Sequence, residues 1–166
     1  MAEIYPQASI AFVTCAFEAT LVEEAFLAAQ DWDHAGVTFD PSAPLCSLFP
    51  PARPGEPWSG LQGIFDDPDS PTFGAKIIIG EVDGHPRLRC VRIYSLVNFQ
   101  VGPIAELIRV CCQSSLLARP IGFDYALSCS GPLPGMFGGG WCVIWPDRVD
   151  RGSTAHALAS AIRPDG

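Results

Sequence analysis

The chain has 166 residues, of which 48% are hydrophobic and 17% are charged. This balance excludes an intrinsically disordered protein, because enough apolar surface is present to offset the entropy of ordering, and the length predicts one domain over residues 1–166. The formal net charge of −8 argues against general nucleic-acid binding, since an acidic protein repels phosphate backbones at long range.

The compartment is inferred from what the sequence lacks. The first residues have neither the basic start nor the apolar core of a secretory signal, and no apolar run is long enough to cross a membrane. We therefore expect a cytoplasmic protein with no membrane partner. The seven cysteines form no CxxC pair, which predicts reduced thiols. The three histidines have no partner at metal-ligand spacing, so neither a metal nor another cofactor is expected.

A strand and a helix are the first predicted elements. Residues 8–17 form a short apolar run with β-branched and aromatic members, which is typical of a buried strand. Thr20 and Glu23 then match a T-x-x-E capping box, and apolar residues follow at helical spacing, so a helix is predicted over 20–32. Its apolar stripe is wide, which favours flat packing on a sheet.

Residues 36–73 form a long Pro-rich segment with no sustained periodicity. Eight prolines interrupt it, which predicts an irregular segment rather than regular structure. Its apolar residues, among them Leu61, Trp58 and Phe65, make it too apolar for a free linker. We expect an ordered segment lying against the rest of the domain, with one short helical turn near 58–65.

A hairpin and a helix follow. Asp83-Gly84 lies between apolar runs at 75–82 and 87–97, which predicts two antiparallel strands. Pro103 can start a helix over 103–118, because its fixed backbone angle suits the first helical position.

The last predicted elements are two strands, a turn and a helix. Apolar runs at 121–130 and 140–145 frame a loop of mostly Gly and Pro, a turn is expected at 147–150, and Ser153 can cap a final helix. Four apolar residues of that helix are predicted to face the core: Ala155, Leu158, Ala159 and Ile162. The order β-α-loop-ββ-α-ββ-α predicts an α+β domain, with a mainly antiparallel sheet of about five strands and two to three helices packed on it.

Two cysteines and one histidine are the catalytic candidates. Cys15 stands where a strand ends before a helix, where amide dipoles could make a thiol nucleophilic. Cys129 stands between two serines at the mouth of the Gly/Pro loop, and His156 is the candidate base. A buried structural cysteine is the simpler interpretation of Cys15, and a strand that ends in small polar residues explains Cys129 as well.

The Gly/Pro loop is the main binding candidate, because glycine has no Cβ to block the approach of a partner. Its spacing matches neither a dinucleotide loop nor a P-loop. Arg87 and Arg89 could form a small site for an acidic partner, although cations on a protected edge strand explain them as well. The binding candidates are Pro132, Pro134, Met136, Phe137, Gly138, Gly139, Arg87 and Arg89.

The functional hypothesis is a small acidic binding module. It is an accessory or inhibitory factor that engages a macromolecular partner, preferably another protein, through exposed loops. The alternative is a cysteine-dependent hydrolase that uses Cys15 or Cys129 with His156. The sequence leaves the oligomeric state open.

Overall fold

The computed structural model describes residues 3–32, 36–131 and 137–163. These residues form an α+β fold with a six-stranded antiparallel sheet and six helices, which confirms the predicted class. The strands are β1 (Ile4–Cys15), β2 (Lys76–Glu81), β3 (Leu88–Ser95), β4 (Ile121–Cys129), β5 (Gly138–Ile144) and β6 (Val149–Ser153). The helices are α1 (Ala16–Trp32), α2 (Ala43–Leu48), α3 (Ser59–Gln62), α4 (Val101–Cys111), α5 (Gln113–Ala118) and α6 (Thr154–Ile162).

Strand β1 holds the two halves of the sheet together. The strand order is β2-β3-β1-β4-β5-β6, and every neighbouring pair is antiparallel. Residues Ile4–Gln7 of β1 pair with β4, whereas Ala8–Cys15 pair with β3. β1 therefore pairs with a different strand along each part of its length. It joins the pair β2–β3 to the three strands β4, β5 and β6.

Helices α1 and α4 cover one face of the sheet. Along β1, Ile10, Phe12 and Thr14 are buried while Ala11 and Val13 between them are exposed, because successive strand residues point to opposite faces. The buried residues join those of α1 and α4 in one hydrophobic core. The opposite face of the sheet carries exposed side chains on both halves.

Helix α1 begins four residues before the predicted start. β1 passes directly into α1, and the amide of Ala16 donates to the carbonyl of Arg87 at 2.9 Å. The hydroxyl of Thr20 donates to the carbonyl of Ala16 inside the helix, so the predicted capping box is wrong. Thr can make this bond to the carbonyl four residues earlier whenever a helix already continues upstream.

The Pro-rich segment is ordered against α1. Trp58 is buried, its ring lies edge-on 5.9 Å from that of Trp32, and its Nε1 donates to the carbonyl of Phe39 at 2.8 Å. Phe73 stacks on Phe26 of α1 at 4.4 Å between ring centroids. Helix α3 lies within the predicted 58–65 turn, whereas α2 was not predicted.

A local signal for α2 is present in the sequence. Ser42 caps it, with the hydroxyl accepting from the amide of Leu45, and Pro44 lies in its first turn. The Glu24 carboxylate on α1 accepts from both the amide and the hydroxyl of Ser42. This acid therefore fixes the start of α2 against α1.

The hairpin at Asp83-Gly84 is confirmed, with β2 and β3 pairing on either side of a Gly84 at φ 73°. β3 lies between β2 and β1, however, so the edge-strand interpretation of Arg87 and Arg89 is wrong. The described edges of the sheet are β2 and β6. The prediction was wrong because β1 pairs with β3 on the side away from β2. Local sequence does not encode this long-range pairing.

The last quarter of the chain departs most from prediction. Residues 149–153 form β6 where a turn was expected at 147–150, and the helix predicted over 103–118 is divided into α4 and α5 at Cys112. Ser153 caps α6 as predicted, accepting from the amide of His156 at 3.1 Å. No residue of α6 is buried, so the predicted inward face of this helix is wrong.

Candidate functional site

The predicted Gly/Pro loop is shorter than expected on its C-terminal side. Pro132, Pro134 and Met136 lie outside the described residues. Gly138 and Gly139 belong to β5 and pair with Leu127 and Ala126 of β4. Assigning these two glycines to a loop was therefore wrong.

Close packing explains why these strand positions are glycine. A Cβ on Gly139 would lie 2.3 Å from the carbonyl oxygen of Tyr125, and one on Gly140 would lie 2.5 Å from the Tyr125 hydroxyl. The hydroxyl of Thr154 accepts from the amide of Gly139 at 3.0 Å and contacts its carbonyl at 3.2 Å. The absence of side chains at these glycines thus allows Tyr125 and Thr154, the first residue of α6, to pack closely against β5.

Four large exposed side chains lie on β5, on the residue before it and on α6, and we call them the terminal patch. The exposed fractions are 60% for Phe137, 48% for Trp141, 61% for Leu158 and 70% for Ile162. Because the Thr154 hydroxyl is hydrogen-bonded to Gly139, the start of α6 lies beside the start of β5, and Phe137 directly precedes that strand. A cleft of about 450 Å³ adjoins this junction and is lined by Ser9, Asp124, Trp141 and Thr154 among others.

The helix of the terminal patch has no acidic residue, lysine or arginine. Residues 154–162 contain no Asp, Glu, Lys or Arg, on a chain whose net charge is −8. Leu158 and Ile162 are one helical turn apart, and Ala155 and Ala159 lie beside them on the same stripe. Helix α6 therefore presents an apolar stripe that the described residues leave uncovered.

The catalytic candidates do not form one cluster. Cys15 pairs with Leu88, and Cys129 pairs with Ile4 at the other end of β1. Eleven strand steps separate these two ends, which is roughly 36 Å. His156 lies in the first turn of α6, and within the described ranges its side chain has no hydrogen bond to either thiol.

All seven cysteines are free in the structure. Burial raises the pKa of Cys111 far above its ordinary value, raises the pKa of Cys112 to about 12, and also raises the pKa of Cys142. A thiol with a raised pKa is a poor nucleophile at neutral pH. These three cysteines therefore act as small core residues.

The arginine candidates lie away from the terminal patch. Arg87 is exposed just before β3, and Arg89 donates to the carbonyls of Pro86 and Leu88. Arg89 pairs with Thr14, near the end of β1 that is remote from Ile4 and β4. The predicted binding residues thus divide between two distant parts of the sheet.

Glu18 is a buried acid that the sequence analysis did not identify. Its carboxylate accepts from the hydroxyls of Thr14 and Ser115 and from the amides of Ser114 and Ser115. Burial opposes ionisation, yet these four donors together hold the pKa of Glu18 below its ordinary value. The only sequence signal is an acid in an apolar stretch. Thr14 is four residues away, but the other three donors belong to Ser114 and Ser115, some hundred residues away.

The acid fastens α1 to β1 and to the start of α5. Within the described ranges, every buried side-chain polar atom has a hydrogen-bond partner, and no three His, Cys, Asp or Glu side chains form a metal-binding group. Glu18 is therefore a satisfied structural residue. No helix in the described part of the chain is long and apolar enough to cross a bilayer.

No family model, curated protein or solved structure matches this chain.

Proposed function

We propose that the protein is a non-catalytic binding module that engages another protein through the terminal patch. The observation that carries this proposal is helix α6, which has an apolar stripe and no buried residue. An isolated helix of this length is only marginally stable in water. A protein partner that covers the stripe would bury apolar surface and hold the helix in place.

The neighbouring aromatic residues support the same surface. Phe137 and Trp141 are exposed beside α6, and aromatic side chains dominate the energetics of many protein interfaces. Contiguous exposed apolar surface often marks an interaction site in proteins that are stable by themselves. The lack of acidic side chains on α6 also removes like-charge repulsion against an acidic partner, which the rest of this chain would repel.

The test is a double substitution on α6, Leu158→Ala with Ile162→Ala. Alanine keeps helix propensity, so the free energy of unfolding should stay within about 1 kcal/mol of the unsubstituted protein. Capture of a protein partner from the native host by the immobilised chain should be lost. Sedimentation of the purified chain shows whether that partner is a second copy.

The matched control is Leu27→Ala with Leu117→Ala, which also removes two exposed leucines but away from the patch. This control should retain the partner. Capture of the same partner by the α6 double variant would contradict the proposal. Loss of capture by both variants would also contradict it, because the effect would then follow general apolar surface and not α6.

A further inference from the structure

Pairing between β1 and β4 stops partway along the two strands. Gln7 and Ala126 form the last pair, so within the described residues Ala8–Cys15 of β1 pair on one side only, with β3. A cleft of about 480 Å³ lies where the pairing stops, within the usual size range of ligand sites. We call it the β1–β4 cleft, and its lining includes Ala11, Val13, Arg119 and Gly122.

The backbone groups of alternate β1 residues point towards this cleft. On the β3 side the amide of Ala16, which directly follows β1, donates to the carbonyl of Arg87 at 2.9 Å. On the β4 side the carbonyl of Glu3 accepts from the amide of Ser130 at 3.0 Å. In an antiparallel sheet the N–H and C=O of one residue point to one neighbouring strand, and those of the next residue point to the other. Even-numbered residues of β1 therefore point these groups to β3, and odd-numbered residues point them to β4.

Ala11 and Val13 are odd-numbered residues that lie beyond the last pair with β4. In the described part of the chain no strand pairs with them on this side. Both residues are exposed, so solvent reaches this part of the strand. Unpaired N–H and C=O groups at strand spacing are a template for a further strand, and an extended peptide can satisfy them in turn. The cleft therefore has the hydrogen-bonding pattern of a strand-addition site.

We propose that the β1–β4 cleft binds an extended segment of a partner protein that carries an acidic residue. The segment pairs with Ala11 and Val13 as an antiparallel strand, like every neighbouring pair of the sheet. Main-chain hydrogen bonds supply the affinity, whereas alternate side chains supply the specificity. Opposed residues of an antiparallel pair lie on the same face. The segment's residue opposite Ala11 therefore projects from the open face of the sheet, which is the face opposite α1 and α4.

Arg92 favours an acidic residue at that position. It is the β3 partner of Ala11, so its exposed side chain lies on the open face beside the Ala11 methyl group. A glutamate opposite Ala11 lies on the other flank of the same methyl group, and two long side chains can meet across it. Arg119 also lines the cleft, and neither arginine takes part in an ion pair between described residues. An acidic segment is therefore complementary in charge to this cleft, although the chain carries a net charge of −8.

The probe is the peptide acetyl-Thr-Val-Glu-Val-Thr-amide, titrated into the intact, isotopically labelled chain and followed by NMR. When its Glu lies opposite Ala11, the Glu amide points to β1 and the amides of both Val residues point away. N-methylation of the Glu amide should therefore abolish binding, whereas N-methylation of the first Val should be tolerated. Replacing Glu by Gln should weaken binding about fivefold, and Arg92→Met should remove this difference. Arg163→Met, which removes an exposed cation after α6, should preserve it.

Amide hydrogen exchange gives a second measurement that needs no substitution. In the free chain the amides of Ala11 and Val13 should exchange much faster than those of Ile10 and Phe12, which point to β3. Saturating peptide should slow exchange at Ala11 and Val13 about tenfold and leave Ile10 and Phe12 unchanged. The peptide with an N-methylated Glu should slow neither pair.

Slow exchange of Ala11 and Val13 in the free chain would show that this edge is already paired and would overturn the proposal. Absence of peptide binding, or equal loss of binding for the two N-methylated peptides, would also overturn it. Equal affinity for the Glu and Gln peptides would overturn the role of Arg92. The double variant Leu158→Ala with Ile162→Ala should bind the peptide normally, so failure here is distinguishable from failure of the terminal patch.

Discussion

Helices α1 and α6 both carry apolar residues at helical spacing, yet the structure uses them differently. Eight residues of α1 are buried, against the sheet, α4 and the Pro-rich segment, whereas α6 has no buried residue. The spacing of apolar residues thus predicts a helix and the width of its apolar stripe. It does not indicate whether the same chain supplies the surface that covers the stripe.

The largest expected difference between the two helices comes from one substitution made in each. Leu21→Ala in α1 removes a side chain that is 3% exposed and should cost about 3 kcal/mol of unfolding free energy, because a buried cavity is left. Leu158→Ala in α6 should cost no more than about 0.5 kcal/mol. Urea unfolding of both variants checks this. Similar losses would mean that α6 is packed as firmly as α1.

Glu18→Gln should have the next largest effect, about 2 kcal/mol at neutral pH, since a charged acceptor of four hydrogen bonds becomes neutral. The folded-state pKa of Glu18 lies below its ordinary value of 4.5, so its contribution is present above that value and is lost as pH falls through the folded-state pKa. The difference between the two proteins should therefore shrink in acid.

The control for this prediction is Glu23→Gln, an exposed acid on the same helix, which should change unfolding by no more than about 0.5 kcal/mol. Denaturant unfolding between pH 7 and pH 3 measures all three proteins. A stability difference for Glu18→Gln that stays constant over this range would show that its ionisation does not stabilise the fold.

Gly139→Ala should cost about 1–2 kcal/mol, because the new methyl group meets the Tyr125 carbonyl and the strands must shift. Gly80→Ala is the matched control on β2, where a Cβ would meet nothing within 4 Å. Thermal unfolding compares the two. An unchanged melting temperature for Gly139→Ala would contradict the close packing at this position. It would favour a flexible loop at these glycines and argue against the contact between β5 and α6.

Thiol labelling should distinguish the buried cysteines from the accessible ones, with no effect on stability. Iodoacetamide at neutral pH should leave Cys111, Cys112 and Cys142 unmodified, because burial raises their pKa values. Peptide mass spectrometry follows the other four. Labelling of Cys15 or Cys129 much faster than a free thiol would favour the alternative hypothesis of a cysteine-dependent hydrolase.

Features encoded by neighbouring residues could be predicted from the sequence. Asp83-Gly84 specifies its hairpin, and Ser153 specifies the start of α6, because each acts within a few residues of itself. The contacts of Glu18 with Ser114 and Ser115 and the β4 pairing of β1 could not be predicted, since about a hundred or more residues separate the contacting groups. Gly138 and Gly139 were assigned to a loop because glycine is weak in strands; the positions of Thr154 and Tyr125, which local sequence does not reveal, explain them.

The terminal patch was predicted only in part. Phe137 was predicted as a binding residue and is exposed, but Trp141, Leu158 and Ile162 were not predicted as binding residues. Leu158 and Ile162 were assigned to the core because an apolar stripe is usually buried by its own chain. A local pattern contains no information on whether the covering surface belongs to another molecule.

The change of partner along β1 has a consequence for the order of folding. The β2–β3 hairpin can form from adjacent residues, but Ile4–Gln7 cannot pair until residues 126–129 of β4 have been synthesised. Contacts so distant in sequence form late, because a long loop must close before they stabilise anything. On the ribosome Ile4–Gln7 therefore stay unpaired after Ala8–Cys15 have found β3, and this edge of β1 is open until β4 emerges.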